Sequence, residues 1–132
     1  MKYLLDTHIF IWSLVNTGKL SKSVKLILSD ANNKIFVSAI TFWEISIKYQ
    51  IGNLELENLY PDDMVFLCEE MGFEIIDLTA KESSTFYKLA ANYHKDPFDR
   101  ILIWQALKNN FTMLSDDKNV KKYSSEGLRI IS

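Results

Sequence analysis

Short apolar runs alternate along the chain with longer stretches in which apolar residues recur every three or four positions. "KYLLD" reads as a strand running into a turn, and "THIFIWSLV" as the helix that follows. "LSKSVKLILSDANN" sets Val24, Ile27 and Leu28 at helical spacing behind Ser21, a side chain suited to an N-cap. "KIFVS" is a strand, and "AITFWEISIKYQIG" a helix closed near Gly52. Asp62 and Asp63 open a helix that ends at Gly72, "FEIIDL" is a strand, and Thr79 caps a helix running to about Tyr93. Asp96 caps the next helix, with Pro97 at its first position. "FTMLS", "DDKNVKKY" and "GLRIIS" follow as strand, short helix and strand. This alternation predicts an α/β domain with a mostly parallel sheet and helices on both faces. It leaves the order of the five strands open.

Composition narrows the class. A chain of 132 residues fits one domain, residues 1–132, and 48% hydrophobic residues suit a packed core rather than disorder. No run approaches the ~20 apolar residues of a membrane span, and the apolar start is broken by Asp6 and His8. A soluble cytoplasmic protein without membrane contact is therefore expected. The single Cys68 excludes an internal disulfide and reads as a small buried residue, and one Cys with two distant His argues against structural zinc.

A net charge of −2 does not suggest a nucleic-acid partner, but its distribution changes that. Residues 49–80 hold eight of the 17 acids and no Lys or Arg, so the rest of the chain carries nine acids against all 15 basic residues. A basic outer surface of that kind permits a phosphate-backbone partner, although such asymmetry also arises as an ordinary solvated face.

Several acids stand where a fold alone would not put them. In an open α/β sheet, ligands bind beyond the carboxyl ends of the strands. Asp6 ends the first strand, and Asp116 and Asp117 follow "TML" and Ser115; each is also a good N-cap. Glu44 falls amid Ile40, Ile47 and Ile51, with Trp43 to one side, and could pair with Lys48 one turn on. In "KDPFDRILIW", Asp96 and Asp99 fit the cap and third position of a helix, yet Asp99 lies on the strip of Leu102, Ile103 and Ala106. A carboxylate among apolar neighbours is costly unless paired or metal-bound. Four carboxylates in one pocket repel one another, and a hard divalent cation such as Mg²⁺ or Mn²⁺ resolves that conflict.

"LLDTHIFIW", "SAITFWEISIK", "HKDPFDRILIWQA" and "TMLSDDKNV", in that order, resemble the PIN-domain nucleases, and most closely the VapC-type toxins of type II toxin–antitoxin pairs. The likeness runs from Leu4 to Val120. It implies a three-layer α/β/α sandwich on a parallel five-stranded sheet, Mg²⁺- or Mn²⁺-dependent endoribonuclease activity on RNA, a cognate antitoxin and a homodimer. By position it implies an acidic site of Asp6, Glu44, Asp99 and Asp117, with Asp96 as a cap. The family pattern Thr-x-Asp here reads Ser115-Asp116-Asp117, which selects Asp117 and leaves Asp116 as neighbour or substitute. Ser115 is a candidate for orienting a carboxylate or for capping, and Arg100 and Lys48 for contacting phosphate or merely flanking the acids. His94 reads as a helix-end residue with no catalytic part. Within residues 49–80, Leu59, Tyr60, Met64, Phe66, Leu67 and Met71 are expected mostly to face the core, with some left for a partner. Alternatives are a non-catalytic interaction module of the same fold or another metal-dependent phosphohydrolase. Against the latter, two aspartates one residue apart after the first strand are missing, and no room remains for a lysine after the last.

Overall fold

A computed structural model describes residues 1–132. Five strands, β1 (Lys2–Leu5), β2 (Lys34–Ser38), β3 (Glu74–Ile76), β4 (Thr112–Leu114) and β5 (Arg129–Ile131), form one sheet in the order β3-β2-β1-β4-β5. Every pairing is parallel. The helices are α1 (Thr7–Val15), α2 (Lys22–Ser29), α3 (Ala39–Gln50), α4 (Asp63–Glu70), α5 (Ala80–Thr85), α6 (Pro97–Asn109) and α7 (Lys118–Lys121).

The period-2 alternation of a strand divides the interior into two cores. Tyr3 and Leu5 of β1, with Ile35 and Val37 of β2, pack on one face against Ile9 and Phe10 of α1, Val24 of α2 and Met64 and Cys68 of α4. Leu4, Phe36 and Met113 point the other way, to Leu102, Ile103 and Ala106 of α6 and to Val120 and Tyr123. The result is the three-layer α/β/α sandwich. Helix α3 belongs to both layers, since Ile45 joins the first core and Ile40 the second.

The sheet order locates a crevice. From central β1 the chain builds outward through β2 and β3, then crosses back to lay β4 and β5 on the other side. Adjacent strands β1 and β4 thus lead into connections that diverge, which makes their carboxyl ends the topological switch point where open α/β sheets bind ligands. The two turns are tied together there, because the Asp6 amide donates to the Leu114 carbonyl at 3.0 Å.

Two expectations need correction. The helix capped by Thr79 ends at Thr85, passes through a short 3₁₀ turn (Phe86–Lys88) and stops well before Tyr93. Its start is sound, with a full capping box between Thr79 and Glu82. Beyond it, the Leu89 and Ala91 carbonyls are taken by the Arg100 guanidinium, at 3.1 and 3.0 Å. Those bonds hold the chain in an irregular path. In the acidic segment, only Met64 of the six named apolar residues is fully buried; Leu59 and Leu67 are half-buried, and Tyr60, Phe66 and Met71 are exposed.

Candidate active site

Four elements deliver carboxylates to the crevice. Asp6 follows β1 and caps α1, accepting the Ile9 amide at 2.8 Å. Its side chain is almost wholly buried. Ser115, fully buried after β4, accepts the Asp117 amide at 3.2 Å, and its hydroxyl lies near enough to Asp6 to lower that carboxyl's pKa. Asp117 in turn caps α7, accepting the Asn119 and Val120 amides at 2.7 and 3.3 Å. Capping and site membership are therefore compatible: one oxygen of each cap is fixed by amides, which aims the rest of the carboxylate.

Glu44 projects from α3 and is 1% exposed. Thr7 donates to its Oε1 at 2.6 Å and Lys48 to its Oε2 at 2.5 Å, while the Thr7 hydroxyl also meets that of Thr41 at 3.2 Å. The pair with Lys48 and the burial of Glu44 coexist, because the buried strip of α3 is Ile40, Thr41, Glu44 and Ile45. Ile51, assigned to the same stripe from spacing, is exposed. Burial opposes the Lys48 ammonium, but its hydrogen bond to Glu44 and the charges of Glu44, Asp96 and Asp99 hold its pKa above the ordinary lysine value.

Asp99 stands in the first turn of α6, behind the Asp96 cap, which accepts the Phe98 and Asp99 amides at 2.9 and 3.2 Å. Its Oδ2 lies 3.4 Å from Nε2 of His94. Burial, then the charges of Asp96, Asp6, Glu44 and Asp117, push its pKa up to about 8. Asp6 rises to about 6, chiefly by burial, against the lowering effect of the Ser115 and Ile9 hydrogen bonds and of His8, with Asp117 raising it further. These mutual effects mark Asp6, Glu44, Asp99 and Asp117 as one electrostatic cluster. Asp116 is exposed and borders Ile9, Trp12 and Lys19 instead.

No three acidic, histidine or cysteine side chains are disposed to hold one ion among them as they stand. Both Glu44 oxygens and one oxygen each of Asp6 and Asp117 have partners on the chain. The donor chemistry nonetheless fits a hard divalent cation. Every donor is a carboxylate oxygen; burial, with repulsion between the acids added to it, lifts two of their pKa values, and a cation would relieve the repulsion.

Arg100 does not point at the acids. Its guanidinium donates to the Leu89 and Ala91 carbonyls and to the Tyr123 hydroxyl, and stacks 5.1 Å over the Phe86 ring. His94, read from sequence as a helix-end residue with no catalytic part, lies against Asp99. His94 sits two residues before the Asp96 cap, and a chain folding back over a helix start brings such a side chain to the first turn, as in a hydrophobic staple. Thr7 and Thr41 were not singled out from sequence. Threonines spaced around an embedded acid, Thr7 beside Asp6 and Thr41 three before Glu44, were the available signal.

A family model described as "PIN domain" matches residues 3–126. The chain belongs to the PIN domain family. No curated protein matches it by sequence. Solved structures share its fold across nearly the whole PIN domain. One, of VapBC2 from Rickettsia felis bound to a promoter DNA fragment, is 19% identical with a TM-score of 0.70, over 99% of this chain and 98% of that one. Another, of VapBC-1 from nontypeable Haemophilus influenzae, is 19% identical with a TM-score of 0.69, over 100% and 98%. A third, of FitAcB from Neisseria gonorrhoeae, is 16% identical with a TM-score of 0.58, over 98% and 96%.

Proposed function

We propose that this PIN domain is a metal-dependent endoribonuclease, the VapC-type toxin of a toxin–antitoxin pair. The observation that carries the proposal is the gathering of Asp6, Glu44, Asp99 and Asp117, from four separate segments, into one mutually repelling cluster at the switch point. Asp6 and Asp99 would be the main holders of Mg²⁺ or Mn²⁺, with Glu44 and Asp117 acting directly or through waters. When bound, the cation supplies activation of water and neutralisation of phosphoryl charge.

The chain's own groups do the positioning. The Ile9 amide fixes Asp6, and the α7 amides fix Asp117. Thr7 and Lys48 hold Glu44. The Lys48 ammonium, close to Asp96 and Asp99 as well, offsets charge that would otherwise repel a phosphodiester. One free carboxylate oxygen of the cluster would accept the proton of the attacking water, and hydrolysis would leave a 5′-phosphate and a 3′-hydroxyl.

An antitoxin partner is supported by the complexes that share the fold and by exposed Val65, Phe66 and Met71 around the acidic α4. An antitoxin with basic residues near that contact would suit Asp62 and Asp63, and a second copy of the chain could use the same kind of apolar surface. No helix is long and apolar enough to cross a membrane. The test is Mn²⁺- or Mg²⁺-dependent cleavage of total RNA by the parent and by Asp99→Asn, with chelator as control. Cleavage lost in the variant and with chelator supports the proposal. Equal cleavage by both proteins overturns the site.

A further inference from the structure

The surroundings of Asp99 contain a chain of hydrogen bonds that the four acids do not explain. Arg100 Nε donates to the Tyr123 hydroxyl at 3.3 Å, Tyr123 meets His94 Nδ1 at 3.3 Å, and His94 Nε2 meets Asp99 Oδ2 at 3.4 Å. The direction of each bond follows from chemistry. A guanidinium has donors only, so the Tyr123 oxygen accepts from Arg100. That phenol is fully buried, so its own proton cannot turn to bulk water, and the remaining partner within reach is His94 Nδ1. In a neutral imidazole one nitrogen accepts and the other carries the proton. With Nδ1 accepting, the proton sits on Nε2, facing Asp99.

We propose that Arg100, Tyr123 and His94 form a relay that fixes His94 as the Nε2–H tautomer and thereby orients the Asp99 carboxylate. His94 is then a positioning residue, and its contribution to ion binding rests on the reading of Asp99 given above. The relay is braced at its far end, because the other Arg100 bonds clamp the Leu89 and Ala91 carbonyls of the loop that leads to His94. Aromatic packing holds the middle: the Tyr123 ring meets His94 at 5.6 Å and Tyr93 at 5.0 Å, both edge-on. At the near end, Asp99 Oδ2 is engaged while Oδ1 takes no hydrogen bond from the chain. Fixing one oxygen sets where the other points. Outer partners of ion-holding groups commonly act in this way, and their loss lowers ion affinity roughly 10–100-fold.

The relay is tested first in the metal-free protein. ¹⁵N-imidazole NMR at pH ~9, above the ordinary histidine range, reads the tautomer of each ring, and His8→Gln assigns the other histidine. The parent should show the Nε2–H form at His94, and Tyr123→Phe, which removes the donor to Nδ1, should let the two tautomers mix. Asp99→Asn should move the Nε2 proton resonance. A parent His94 carrying its proton on Nδ1, or a tautomer indifferent to Tyr123→Phe, overturns the relay. Mn²⁺ titration then reads the consequence. His94→Leu should bind Mn²⁺ roughly 10–100-fold more weakly than the parent, and His94→Gln, whose amide can still donate, should recover part of the loss. Parent-like binding by His94→Leu would refute the positioning role. A parent that shows the Nε2–H form and binds no Mn²⁺ would uphold the relay and overturn the reading of Asp99 as an ion ligand.

Discussion

Helix α6 carries a buried-acid environment along each half, and the two are opposites. Beside its C-terminal half, Glu82 is nearly buried yet fully satisfied. Thr79 N donates to Oε1 at 3.0 Å, Gln105 to Oε1 at 3.2 Å and Asn109 to Oε2 at 2.7 Å. Burial alone would raise its pKa, but those bonds outweigh it and hold the value below the ordinary carboxylate range. At the N-terminal end, Asp99 receives one bond from His94 and faces four other acids, and its pKa rises to about 8. Burial is common to both. What separates a structural acid from one poised for chemistry is whether the chain itself supplies the compensating donors.

The sharpest way to break this contrast is to neutralise each acid in turn. Asp99→Asn should reduce metal-dependent RNA cleavage by at least ~100-fold, more than is usual for loss of an outer partner, while raising the melting temperature of the metal-free protein at pH ~8, because it removes an uncompensated charge. Unchanged cleavage, or a lowered melting temperature, would make Asp99 a structural acid like Glu82. Glu82→Ala should do the reverse. It removes one acceptor from each of the Gln105 and Asn109 amides, which keep only their bonds to the Asp77 and Gln105 carbonyls, costs about 1–3 kcal/mol in denaturant unfolding, and leaves the cleavage rate at permissive temperature as it was.

Titration sharpens the contrast further. Asp6 and Asp99 have folded-state pKa values of about 6 and about 8, above the ordinary 3.8. The folded state therefore binds protons more tightly than the unfolded one. Their contribution is fully present below pH ~4 and is lost as pH rises through both folded values. Glu82 works oppositely, losing its contribution as pH falls. In chelator, melting temperature should decline from pH ~5 to ~8, and added Mn²⁺ should restore more stability at pH ~8 than at pH ~5. A flat profile that Mn²⁺ does not alter would contradict the crowded cluster. The smallest effects distinguish adjacent residues. Asp117→Ala should impair cleavage and weaken the α7 cap by about 1 kcal/mol, whereas Asp116→Ala should leave stability within about 0.5 kcal/mol and cleavage unaltered.

Local chemistry was legible where short-range forces decide it. The Ser21, Thr79 and Asp96 caps, and the strands around Tyr3, Val37 and Met113, are as the pattern predicts. The anomaly of Glu44 and Asp99 on apolar strips also pointed to a shared pocket. Pattern was silent where a distant group intervenes. Arg100 ends the regular structure after α5 by taking carbonyls 9 and 11 residues back. His94 gains its meaning from Tyr123, 29 residues later. Periodicity also does not show that the Lys48 ammonium can reach a buried Glu44 over the rim of a pocket.

The central place of β1 has a consequence in time. Its four residues are made before every other strand of the sheet, yet Tyr3, Leu4 and Leu5 pair with Thr112, Met113 and Leu114, and the Asp6 amide bonds to Leu114. A ribosome that has not yet released β4 holds a chain whose first strand lacks one neighbour and whose crevice lacks one wall. Nascent chains arrested before Thr112 should leave β1 open to protease, and those carried past Ile131 should protect it. If this chain is a toxin, translation order keeps it unarmed until β4 has been made, which gives a partner made beforehand time to be waiting.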